Sequence, residues 1–326
     1  MPSIKPSWIF PALAALIGGA ITAAAQDELF VSKQLTPKNE YTFQIEGPAV
    51  DRAGNLYVGN LAIKTDAKTA SGIGKVKAND TKSTLFATLP VTNGAKSKTS
   101  GMRFDRDGRL YTTDFNGHQI FVFSPGETKP QVYFKAAFHQ PNDLAMAKDG
   151  TLYASDPLRK TGVPVSGRIW RITRGVDGKA SGAIMESPRA MGATNVIDLS
   201  PDDATLYASE PTTGQVWSYR IDGSKLTDAQ LLATLQGGEV DGLRTDVEGR
   251  IYITQNGAGR ISVLTAKGEK ARDPIVTTGK NPSNLTFGGP DGKTVFVTQA
   301  DGGFIETFRV DRPGREPCLQ SGAPFC

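Results

Sequence analysis

The stretch DRAGNLYVGN, Asp51 to Asn60, is a polar turn with glycine followed by an alternating run of apolar and small residues. It returns five times: DRDGRLYTTD from Asp105, AKDGTLYASD from Ala147, SPDDATLYASE from Ser200, DVEGRIYITQ from Asp246 and GPDGKTVFVTQ from Gly289. A tight turn opening into a period-two run is a hairpin leading into a half-buried strand. The anchoring apolar positions Leu56, Leu110, Leu152, Leu206, Ile251 and Val295 are, by subtraction, 54, 42, 54, 45 and 44 residues apart. Strand repeats of that length are the blades of a propeller, so six copies predict an all-β, six-bladed β-propeller.

The surroundings agree. After most copies comes a further strand with its own polar turn, as in GHQIFVFSPGE, GRIWRITRGVDGK, GQVWSYRIDGS and GRISVLTAKGE. The best helical candidate, SKLTDAQLLATL around Leu226, falls where a strand and its connector are needed. ELFVSKQL, ahead of the first copy, has no blade of its own and is expected to pair with GFIETFRV of the last, closing the ring and removing the sheet edge.

Residues 1–25 differ in kind. Lys5 precedes the apolar run WIFPALAALIGGAITAAA, which ends in small residues before Gln26, the pattern of a secretory signal peptide; the alternative is an uncleaved membrane anchor, for which the run is short. Residues 26–326 are then a single propeller domain, periplasmic or secreted, with no membrane attachment after cleavage. The two cysteines, Cys318 and Cys326, could close a small terminal loop in an oxidising compartment or remain free thiols. A net charge of +4 arises from scattered lysines without a basic block or an aromatic-basic stripe, which argues against nucleic acid as a partner. SGIGK, from Ser71, lacks P-loop spacing and reads as a hairpin turn.

Glu46 stands ten residues before Leu56, and the same offset can be read in every copy. Ser100, Asn142 and Asp241 lie ten before their anchors; Asn195 and Asn284 lie eleven before theirs, in the two copies with one extra turn residue. Equivalent residues at the start of the innermost strands converge on one ring at one end of the channel. All six carry oxygen and two are carboxylates, a donor set that suits a hard divalent cation such as calcium better than zinc. The alternative is that they cap the channel by hydrogen-bonding one another.

EGPAVDRAGNLYV, QPNDLAMAKDGTLYASDP, VDGLRTDVEGRIYI and NPSNLTFGGPDGKTVFVT resemble the SMP-30/gluconolactonase/luciferin-regenerating-enzyme-like family of six-bladed propellers, which also takes in diisopropylfluorophosphatase; SEPTTGQVWSYRIDG looks especially like the latter. The resemblance implies one divalent ion in the channel, most simply Ca2+, with Glu46, Asn142, Asn195 and Asp241 as ligands and Asp143 as a nearby acid. It implies hydrolysis of a small lactone or ester, with Asp241 as first choice for the catalytic carboxylate and Asp143 as second. Ser100, Asn284 and His139 are then candidates to meet substrate, whereas His118 reads as a surface turn residue.

Two departures accompany it. Ser100 stands where the sugar-lactone enzymes often carry Asn. Arg244 and Thr286 stand where diisopropylfluorophosphatase holds a second ion, and a guanidinium would itself supply positive charge there. The competing readings are a phosphotriesterase on the same site and a non-catalytic periplasmic binding or scaffold propeller. A mouth lined by Phe115, Met102, Met191 or Trp217 would favour bulky hydrophobic esters, whereas arginine and asparagine would favour sugar lactones.

Overall fold

The computed structural model describes residues 28–62, 71–92 and 94–320. Among them are six four-stranded antiparallel sheets, one per repeat, and a small hairpin, Val91–Thr92 with Ala95–Lys96. The innermost strands are Tyr41–Val50, Met102–Phe104, Leu144–Met146, Ile197–Leu199, Glu239–Thr245 and Pro282–Gly288, in blades one to six. Each anchor opens, or in blades four and six nearly opens, the second strand and is buried to within 2% of full enclosure. The turn before it needs a left-handed residue; Gly54 supplies it at φ +82° in blade one, and Asp203 at φ +62° in blade four, where Lys148 N donates to its carboxylate at 2.7 Å.

There is no single core. Each adjacent pair of blades shares its own apolar wedge, such as Tyr153, Ile169 and Leu206 between blades three and four, and Tyr41, Leu56 and Ile305 between blades six and one. The last wedge depends on closure: Lys33 and Gln34 form a strand opposite Thr307 and Glu306, as the ELFVSKQL reading expects. SKLTDAQLLATL likewise becomes the outer strand Lys225–Thr234.

Connections between second and third strands, and from one blade to the next, lie at the end where the innermost strands begin, here the upper end. The lower end is covered by a short helix, Arg315–Leu319, and its flanks. This segment reaches all six blades: Gln320 donates to Val50 O, Glu316 meets Arg103, Arg244 and Thr286, and Arg315 donates to Met146 O and Ser200 O. The leader and Cys326 lie outside the described residues; Cys318 is not a free thiol. No helix among the described residues is long and apolar enough to cross a membrane.

Candidate metal and active site

Two further repeat positions hold the upper ring in place. Four residues after each anchor comes Asn60, Asp114, Asp156, Glu210, Gln255 or Gln299. In five blades this residue grips the start of its own innermost strand or the loop leading into it: Asn60 Nδ2 donates to Gln44 O, within the strand, at 2.6 Å, Asp114 accepts from Ser97 at 2.9 Å, and Asp156 accepts from the amides of His139 and Gln140 at 2.8 and 2.7 Å. Glu210 accepts from Gly192 N at 2.9 Å, and Gln255 donates to Gln236 O at 2.9 Å. In blade six Gln299 is buried without partners, and Glu306 takes over by accepting from Thr278 N and Gly279 N.

Three residues after the anchor stands a hydroxyl in five blades. Thr113, Ser155 and Ser209 donate to the carbonyls of Asn142, Asn195 and Asp241, the ring residues of the following blades. Thr254 accepts from Gly242 N at 2.6 Å and donates to Ser283 O. Asn142, Asn195 and Asp241 are therefore each fixed by their own blade and by the preceding one. In blade one the position is Gly59, where a Cβ would fall 2.1 Å from Thr99 Cγ2.

The ring side chains fall into pairs. Asn284 Nδ2 donates to Glu46 Oε2 at 3.0 Å, while its oxygen accepts from Leu285 N; it orients Glu46. Asn195 Nδ2 donates to Asp241 Oδ1 at 2.6 Å, and Asn256 donates to the other oxygen at 3.2 Å. The side-chain amide of Asn142 makes no hydrogen bond among the described residues. Ser100 is buried, with its backbone amide on Thr113 Oγ1.

Burial and then the charge of Asp241 push the Glu46 carboxyl well above the usual carboxylate range. Burial pushes Asp241 up to about 6, against the restraining effects of Asn256, Arg159 and Asn195. No group of three or more His, Cys, Asp or Glu among the described residues could hold a metal alone, so a site here must draw on amide oxygens. Two half-buried, mutually repelling carboxylates, an unpartnered amide, and neither sulfur nor imidazole form a set that fits a hard divalent cation.

Below the ring the channel changes character. Arg103 and Arg244 come three residues after Ser100 and Asp241, in blades that face one another, and both reach Asp143. Arg244 Nη1 lies 3.1 Å and Arg103 Nη2 3.3 Å from Asp143 Oδ2. From beneath, Glu316 Oε1 lies 2.5 Å from Arg103 Nε and 3.5 Å from Arg244 Nε, while Thr286 donates to Oε2 at 2.9 Å. The Glu316 pairs are contacts of charge rather than aligned hydrogen bonds. Sequence reasoning anticipated Arg244 in the channel but missed Arg103 and Glu316.

The mouth also departs from the apolar possibility. Met102 and Met191 are buried in inter-blade wedges, and Trp217 packs against one of these beneath the guanidinium of Arg189. Phe115 is at the upper end, with Lys98 Nζ 5.0 Å from its ring centre. Arg159 Nη2 donates to Asn195 Oδ1 at 2.9 Å. His139 leads into blade three, its Nδ1 buried without a partner, whereas His118 is an exposed turn residue. A cavity of about 660 Å³ lies at the lower end between blades one and six, lined by turn residues such as Asp51, Lys77 and Gly289. It is remote from the ring chemistry.

Residues 131–301 match the family model described as SMP-30/Gluconolactonase/LRE-like region. Diisopropyl-fluorophosphatase of Loligo vulgaris is 24% identical over 289 residues, 83% of this chain and 90% of that protein. Gluconolactonase of Zymomonas mobilis is 24% identical over 231 residues, 64% of this chain and 63% of that protein. Among solved structures, a calcium-binding regucalcin from Agrobacterium tumefaciens superposes with a TM-score of 0.67 at 18% identity, covering 86% of this chain and 97% of that one. A gluconolactonase from Xanthomonas campestris gives 0.64 at 20% identity, covering 87% and 89%. The repeat, the propeller and the family match together place the chain in the SMP-30/gluconolactonase/LRE-like family.

Proposed function

We propose that this protein hydrolyses lactones or similar small esters with the help of one divalent cation, most simply calcium, at the upper ring. The observation that carries this reading is the pair Glu46 and Asp241, two half-buried carboxylates within reach of each other's charge with amides as their hydrogen-bond partners. Glu46, Asn142, Asn195 and Asp241 would hold the ion, which when bound supplies a Lewis acid against the carbonyl oxygen of the substrate. The similarity to two proteins named as hydrolases supports the same class of reaction.

Asp241 is the group that handles the proton. A carboxylate whose proton affinity is raised towards neutrality is a better general base than an ordinary one. It takes the proton of the attacking water as the new carbon–oxygen bond forms and returns it to the ring oxygen as the acyl–oxygen bond breaks, so that the ring oxygen leaves as an alcohol and the product is a hydroxy acid. Asp143 is held by two guanidinium groups and lies below this ring, so its role is to position the channel wall rather than to react. Asn284 orients Glu46, and Ser100 and His139 remain assigned to the substrate side.

The test is turnover of a panel of aldonolactones, aliphatic lactones, aryl esters and phosphotriesters by purified protein, with chelator and with calcium restored. Chelator-sensitive lactone opening is the expected result; an ion bound without any turnover would leave a binding propeller. Phosphotriester hydrolysis is the second reading, favoured by the length of the match to diisopropyl-fluorophosphatase. The leader-like composition of residues 1–25 supports a periplasmic or external location, which fractionation of cells expressing the chain with and without them would check.

A further inference from the structure

The two widest repeat spacings, 54 residues each, point to the upper end. In blade three the surplus lies between the second and third strands, where residues 156–168 replace the short turn seen at 115–118 in blade two. This loop, cinched by a bridge between Leu158 and Ser166, brings Arg159 to the ring. Between blades one and two, the hairpin 91–96 leads directly into Lys98, whose side chain rests on Phe115 and whose carbonyl accepts from Phe115 N at 2.8 Å. Both insertions thus deliver a cation to the channel mouth.

Neither cation has an acid partner. Lys98 and Arg159 form no ion pair among the described residues, and Lys98 Nζ makes no hydrogen bond there. They are close enough that the charge of Arg159, after burial, helps to lower the Lys98 pKa, while Glu46 and Asp241 oppose this. Glu239 is the further acid acting on Asp241, and it is exposed. Once a divalent ion balances Glu46 and Asp241, Lys98 and Arg159 stand against the exposed Glu239 among the described residues.

We propose that Lys98 and Arg159 form an oxyanion-binding pair that selects lactones carrying a carboxylate or phosphate group in addition to the scissile ester. This rests on the hydrolase reading and narrows its substrate class. Arginine grips a planar or tetrahedral oxyanion through two donors, and the lysine supplies a point charge beside it. Both approach from the solvent side, so the anionic group sits outward while the ester faces Asp241.

The experiment compares a neutral aldonolactone with the same lactone bearing a terminal carboxylate and, separately, a terminal phosphate. Wild-type protein should favour at least one charged form by about tenfold or more in kcat/KM, the factor that one hydrogen bond to a charged group carries. Lys98→Met and Arg159→Gln should each bring the charged-to-neutral ratio towards one, mainly through KM, and Lys98→Arg should retain it. Added salt should erode the preference. Equal use of charged and neutral lactones by the wild type, or an undiminished ratio in both variants, would overturn the proposal while leaving the hydrolase reading intact. A parallel calorimetric titration of the calcium-loaded protein with an aldarate and with a neutral alditol needs no turnover. Aldarate binding that the variants lose would support the pair even for a protein that hydrolyses nothing; no preference for aldarate would count against it.

Discussion

The channel contains two charged layers that solve the same electrostatic problem in opposite ways. In the upper ring, Glu46 and Asp241 have amide partners, and desolvation raises both of their pKa values, reinforced at Glu46 by the charge of Asp241. In the lower layer, Asp143 and Glu316 are matched by Arg103 and Arg244. Burial alone would lower the Arg244 pKa, but Asp143, Glu316 and Asp198 raise it instead. One layer brings its own cations, and the other, on the proposed reading, takes one up. Residues three apart on the same strands, Ser100 and Arg103 or Asp241 and Arg244, therefore belong to different kinds of site.

The sharpest way to break this contrast is Arg244→Met. It leaves two buried acids with one guanidinium, and losing one partner of a buried pair costs about 3–5 kcal/mol, to be read from denaturant unfolding. An unchanged midpoint would mean that the lower layer is not a structural ion cluster. Asp241→Asn should act in the reverse sense: kcat should fall on the order of 10²–10⁴-fold, yet the metal-free protein should be no less stable, because a repulsion with Glu46 has been removed. Full activity would remove Asp241 from the chemistry. Glu46→Gln should likewise reduce calcium occupancy in direct metal analysis, and full occupancy would exclude Glu46 as a ligand.

The pH dependence sharpens the comparison. Asp241 moves from its ordinary value of 3.8 to about 6 on folding, so between these limits the folded chain binds more protons than the unfolded one. Stability of the chelated protein should therefore fall as pH rises through that window. Calcium should flatten the slope, because the ion competes with those protons. A chelated protein whose melting temperature is level from pH 4 to 7 would contradict the raised value. The smallest expected effect belongs to Thr254→Val, which strands Gly242 N and Ser283 O and should cost about 1–3 kcal/mol, with Asp241 chemistry weakened in parallel.

Much of this was legible because it repeats. Six anchors at blade spacing predicted six sheets, and a constant offset from Glu46 found the ring. The gripping residues from Asn60 to Gln299 were present in the same quoted strings, but a strand-end Asp or Gln looks like the polar phase of an alternation. Its partner, in most blades a backbone group, lies 16 to 19 residues earlier by subtraction, and no side-chain pattern marks that. Arg103 and Glu316 were hidden for a different reason. They are 213 residues apart by subtraction, and one of them follows the last repeat. Only closure of the ring brings them together.

The segment carrying Glu316 has a kinetic consequence. Because it meets all six blades at the lower end, the channel is a blind alley with one doorway. Arrivals and departures must share that doorway and take turns. A hydroxy acid still lodged behind Lys98 and Arg159 blocks the next lactone outright, so inhibition by product should be purely competitive and relieved by substrate alone.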